Sequence, residues 1–135
     1  MNQQLKFINI SIVFFLIAGI LGACTGNTRI GTITIAVAES NPGTENEVNA
    51  HSLYAGALLA AEQINEAGGI NRYYVKIVPY ADNNEPLAAQ QNAQAIAESK
   101  AAAVIGHSSS EMTSVAAPIY MKAGIPAIIA SPDST

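Results

Sequence analysis

The chain has 135 residues, of which half are hydrophobic and 12% charged, with a formal charge of -4. That length allows one domain at most, and the composition is that of a globular chain with an apolar leader, which excludes a mainly disordered one. No run of Lys or Arg could neutralise a row of phosphates, Trp is absent, and five Tyr with three Phe offer little stacking surface, so nucleic acid is not an expected partner.

Residues 1–23 have the layout of a secretory signal. A short polar start with Lys6 leads into an apolar stretch over residues 7–21, followed by Gly22, Ala23 and Cys24. The stretch includes Asn9 and Ser11. At about 15 residues it is shorter than the roughly 20 needed to span a bilayer as a helix, so a cleaved leader is expected. Leu21-Gly22-Ala23-Cys24 resembles the bacterial lipobox, in which the cysteine sulfur is lipidated and the chain is cut before it. The competing reading of Cys24 is a lone exported thiol behind an ordinary signal peptide. No second Cys exists, so no disulfide can staple the mature domain. Residues 24–29 are read as the lipidated cysteine and a polar tether. From Thr25 onward five basic side chains stand against ten acidic ones, a net of -5.

Residues 30–135 alternate strand and helix. Ile30, Ile33, Ile35 and Val37 supply β-branched residues to an apolar run that predicts a buried strand over residues 30–38. The turn cluster Asn41-Pro42-Gly43 follows. Leu53, Ala57, Ala60 and Ile64 then recur at three- and four-residue steps, predicting a long helix over residues 47–67 that Gly68-Gly69 ends. Alternation over Tyr73–Ala81 predicts a second strand, placed near the sheet edge because of Pro79. Asp82-Asn83-Asn84-Glu85-Pro86 is a cap and start signal for a helix over residues 87–99. A short apolar strand at residues 101–105 precedes a third helix carrying Met112, Val115, Ala116, Ile119 and Tyr120, closed by Gly124, and residues 125–130 form a fourth strand. The order predicts an α/β fold, a three-layer parallel sheet with helices on both faces and ligand-facing loops at the carboxyl ends of the strands.

Three of those loops span residues 39–46, 82–86 and 106–110, with residues 131–135 as a fourth. Gly106-His107-Ser108-Ser109-Ser110 places three hydroxyls where a helix begins and its unpaired N–H groups face outward, an arrangement suited to a carboxylate. Ser108 with Glu111 matches a capping box, which accounts for one serine by helix capping alone; Ser110 is the favoured ligand contact. A hydrolase elbow would need glycine at the position of Ser110 and a base oriented by a carboxylate. His107 is therefore read as a loop residue and His51 as a solvated helix position. Neither makes a metal-ligand pair, and the loop after the first strand lacks the spaced glycines of a nucleotide site. No metal or cofactor is expected.

Taken in order, residues 61–70 (AEQINEAGGI), Tyr80-Ala81-Asp82-Asn83 with Pro86, and Gly106-His107 through Ser110 resemble the Leu/Ile/Val-binding family of type I solute receptors, which serve ABC importers. Ala117-Pro118-Ile119-Tyr120, Ala123-Gly124-Ile125-Pro126 and Ser131-Pro132 with Ser134-Thr135 are similar to the next family segment. The resemblance implies a two-lobed receptor that closes over an amino acid, amide or related solute and performs no chemistry, of which this chain holds the incomplete first lobe. It implies that Ser110 meets the ligand α-carboxylate. Backbone groups of the last loop and the hydroxyl of Thr135 would meet the ammonium and carboxylate, with Ser131, Ser134 and Ser109 as further contacts. It also implies importer membrane subunits as partners, and Cys24 then anchors the protein by its lipid to the bacterial envelope, in the periplasm or on the outer face of the cell membrane.

Because 135 residues cannot hold two lobes, the sequence is read as a truncated or fragmentary receptor whose solute choice, normally set by the second lobe and its closure, is not legible. Two other readings compete. One is the sensing domain of a signalling receptor, which would need a spanning helix after the lobe. The other is a nonfunctional or partner-dependent fragment.

Overall fold

The structure is a computed structural model that describes residues 28–43 and 52–130. Four strands, β1 (Gly31–Glu39), β2 (Tyr73–Ala81), β3 (Ala103–Gly106) and β4 (Ala127–Ile128), form one parallel sheet in the order β2-β1-β3-β4. Three helices, α1 (Leu53–Glu66), α2 (Pro86–Glu98) and α3 (Ser110–Ala123), connect them. The chain steps one way from β1 to β2 and the opposite way from β2 to β3 and β4. Right-handed crossovers therefore put α1 on one face and α2 with α3 on the other. The packing agrees: α1 lies against β2 and β1, while α2 and α3 lie against each other.

The core sits under α2 and α3. Ala36 and Ala38 of β1 and Val104 of β3 meet Ala93 and Ile96 of α2 and Ala116 and Tyr120 of α3. In α2 the buried residues Ala89, Ala93 and Ile96 fall one helical turn apart, as do Met112, Ala116 and Tyr120 in α3. Alanines on both sides of the contact let the helices lie close to the sheet, and no disulfide is needed.

The elements match the sequence pattern with shifts at their ends. β2 has its expected bounds and lies at the sheet edge, where Pro79 removes no ladder bond. α2 starts at Pro86, which needs no N–H at that position, but Glu85 before it makes no side-chain cap. β3 begins two residues later than expected, because Lys100 turns the chain with φ 61 after the helix and Ala102 donates to Thr34 O first. β4 is shorter than residues 125–130, because the Ile125 N–H is used by Tyr120 O at the helix end and Pro126 has none. Gly124 closes α3 with φ 68, where any other residue would be strained. Residues 47–51 of the first expected helix lie outside the described residues.

Removing the Ile96 side chain beyond Cβ empties the centre of this core. Ile96→Ala should cost about 2–5 kcal/mol of unfolding free energy, read from urea titration, whereas Leu59→Ala on the exposed face of α1 should stay within about 0.5 kcal/mol.

Candidate functional site

The carboxyl ends of β1, β2 and β3 bring three loops to one side of the sheet. At the end of β1, Glu39 is buried and its carboxylate accepts from the N–H groups of Leu53 (3.1 Å) and Tyr54 (2.8 Å), the first two of α1. The Ser52 hydroxyl accepts from Ala55 N at 3.0 Å. Helix starts expose unpaired N–H groups and a partial positive charge, so this carboxylate is held by the helix it caps. Beside it, Asp82 N donates to Glu39 O (3.0 Å) and Asn83 N to Ser40 O (3.2 Å), which ties the second loop to the first.

The third loop is tied to both. Ser108 Oγ accepts from Ser40 N at 3.3 Å, and His107 Nδ1 lies 2.7 Å from Asp82 Oδ2. His107 and Asp82 are both fully buried. The reading of His107 as a loop residue without an orienting carboxylate is thus corrected: the fold carries Asp82 to it from 25 residues away and buries the pair. Since a carboxylate only accepts, Nδ1 carries the hydrogen. Nε2 lies 3.1 Å from the Tyr120 hydroxyl, which donates to it in the neutral ring. Burial, then the Asp82 charge and Tyr80, push the Tyr120 hydroxyl well above its ordinary range. The pair recreates the base and carboxylate of a hydrolytic triad, but Nε2 faces Tyr120 in the core and the Ser108 hydroxyl faces Ser40.

Gly106, which turns the chain into this loop with φ 122, has no room for a Cβ, because one would strike the Ala38 carbonyl. Beyond it, the cap of α3 is Ser109 and not Ser108: Ser109 Oγ accepts from Met112 N (3.3 Å), and its carbonyl accepts from Thr113 N and Thr113 Oγ1. This corrects the capping box expected from Ser108 and Glu111. Ser108 is instead drawn sideways to β1, a contact across 68 residues that no local pattern reveals. Ser110 is the first residue of α3, exposed, and its hydroxyl meets no partner among the described residues. Ser109 and Ser110 thus stand at the open start of a 14-residue helix, where a carboxylate can take N–H and O–H donors together.

Cys24, His51, Ser131, Ser134 and Thr135 lie outside the described residues. Among the described residues no three His, Cys, Asp or Glu side chains gather as a metal site, and no helix is long and apolar enough to cross a membrane. A cavity of about 620 Å³ between α1 and β2, bordered by Arg29, Asn65 and Lys76, is on the flank of the sheet, away from the strand ends where ligands of such sheets bind. Glu39 and the Asp82–His107–Tyr120 chain were not found from sequence. The visible signal was an acid or histidine at the end of each of the first three strands.

An open parallel sheet with helices on both faces has the architecture of part of one lobe of a type I solute receptor. The chain belongs to the periplasmic binding protein family, whose model matches residues 32–135. It is similar to an amino acid binding protein of Pseudomonas aeruginosa, 35% identical over 96% of this chain and 34% of that protein. Among solved structures, a substrate-binding protein of Desulfitobacterium hafniense complexed with Leu shares 33% identity with a TM-score of 0.65, over 76% of this chain and 30% of that one. The branched-chain amino acid binding protein LivJ of Streptococcus pneumoniae, complexed with isoleucine, shares 31% with a TM-score of 0.62, again over 76% and 30%. The chain spans about a third of the length of these relatives.

Because the folded chain holds the Tyr120 hydroxyl proton to higher pH than the unfolded chain, stability depends on alkaline pH. The unfolded chain releases that proton near pH 10 and the folded chain only higher, so the contribution is intact below roughly pH 10 and lost above it. Tyr120→Phe should lower stability at neutral pH by about 1 kcal/mol and flatten the fall above pH 10, a slope of at most about 1.4 kcal/mol per pH unit, in denaturant titrations across pH.

Proposed function

We propose that the chain is the amino-terminal, solute-binding part of an exported lipoprotein receptor that delivers an amino acid or similar small solute to an ABC importer. One observation carries the reading: Ser110 stands exposed, its hydroxyl without a partner among the described residues, at the start of α3 on the carboxyl edge of the sheet. There its hydroxyl and the first N–H groups of the helix receive the solute carboxylate, assisted by Ser109. Backbone groups after β4 and the hydroxyl of Thr135 hold the ammonium and carboxylate, with Ser131 and Ser134 beside them. The complexes of two similar proteins with Leu and isoleucine support an aliphatic amino acid as the solute. In this reading binding replaces chemistry.

The same reading assigns residues 1–23 to a signal peptide, Cys24 to lipidation, residues 24–29 to a tether and residues 30–135 to part of the first lobe. The protein is then held at the bacterial envelope by its lipid, in the periplasm or on the outer face of the cell membrane, with the importer's membrane subunits as partners.

A hydrogen bond to a charged group contributes about 1.5–3 kcal/mol, so Ser110→Ala should weaken solute affinity roughly 10- to 100-fold in calorimetric titration of the full chain with leucine and isoleucine. An unchanged dissociation constant would remove Ser110 from the site. Cys24→Ser should move the protein from the membrane fraction to the soluble one and abolish labelling by a fatty-acid analogue. Continued labelling would refute the anchor.

A further inference from the structure

Asp82, His107 and Tyr120 lie beneath the loop that carries Ser109 and Ser110, with exposures of 0%, 0% and 2%, so none of them can touch a solute. We infer that they are positioning residues for the solute site: the Asp82 carboxylate sets which His107 nitrogen carries hydrogen, and the ring, held between Asp82 and Tyr120, fixes the start of α3. The inference rests on the reading that this helix start receives the solute carboxylate.

The hydrogen-bond polarity carries the argument. Asp82 Oδ1 accepts from Asn84 N at 2.9 Å and Oδ2 from His107 Nδ1 at 2.7 Å, so both oxygens face donors. Only a carboxylate offers two acceptors there; an amide would turn an NH2 toward one of them. Nδ1 therefore carries a hydrogen, and in the neutral ring Nε2 accepts from the Tyr120 hydroxyl at 3.1 Å. Tyr120 belongs to the body of α3 and His107 to the loop that starts it, so the ring braces the two ends of one segment against the end of β2. Ser108, bonded to Ser40 N at 3.3 Å, braces the same loop against the end of β1. With no slack in this frame, the placement of Ser110 follows from the tautomer. Moving the hydrogen from Nδ1 to Nε2 breaks the bond to Asp82, and rotating the ring breaks both bonds.

The test uses the full mature chain labelled with 15N, with His51→Gln to separate the two rings. Long-range 1H–15N spectra should show a neutral His107 with hydrogen on Nδ1 and none on Nε2. Tyr120→Phe, which keeps the packed ring, should preserve that tautomer while shifting the Nε2 resonance. Asp82→Asn should invert it, placing hydrogen on Nε2. Without solute, amide exchange of Glu111, Met112 and Thr113 should accelerate about tenfold in Tyr120→Phe and stay unchanged in Ser110→Ala, and the leucine dissociation constant of Tyr120→Phe should rise about tenfold. Hydrogen on Nε2 of the unmutated protein, or unchanged exchange at the start of α3 in Tyr120→Phe, would overturn the inference. If the unmutated chain bound no amino acid while tautomer and exchange behaved as stated, the solute reading would fail and the positioning network would stand.

Discussion

β1 is paired on both sides, with β2 along all nine of its residues and with β3 along its last half, and it is covered by α1 on one face and by α2 and α3 on the other. The carboxyl half of a strand in that position has its backbone groups satisfied by the sheet and its side chains enclosed, so it fixes what stands at its end. Glu39 and Ser40 stand there. From them α1 is capped, the loop after β2 is tied down by two backbone bonds, and Ser108 is drawn into place. The three loops form one platform because they share this strand end.

The platform is built from buried polar groups, which is costly. An unpaired carboxylate or imidazole in the interior would cost several kcal/mol, and removing one member of a pair leaves the other exposed to that penalty. Glu39, Asp82 and His107 avoid it by complete pairing, and no buried side-chain nitrogen or oxygen among the described residues lacks a partner. Apolar residues of similar size could be as stable. They would not fix the direction of each donor, and the proposed contact of a carboxylate with N–H and O–H groups depends on direction.

The two edges of the sheet are treated differently. At β2 the Asn65 side chain donates to Val75 O and accepts from Val75 N, replacing the pairing a further strand would give. At β4 two residues pair among the described residues, and Ile128 and Ile129 are largely exposed. The edge beside α1 is thus closed by a side chain of the chain itself, whereas the edge beside β4 presents apolar surface.

Much of the fold was legible in the sequence because it depends on local pattern. β-branched runs, the helical spacing of Leu53, Ala57, Ala60 and Ile64, Pro86 at a helix start and Gly124 at a helix end each act within a few residues, and their order alone implies right-handed crossovers and a parallel sheet. The loop at Gly106 to Ser110 was legible as a candidate for the same reason: a helix start with hydroxyls is a local object. The partners of its residues were decided only by tertiary structure. Ser108 meets Ser40 and His107 meets Asp82 and Tyr120 across separations of 68, 25 and 13 residues. Charge and hydrogen-bond direction have no sequence period, so only the packing of β1 between its neighbours could decide which acid faces which base.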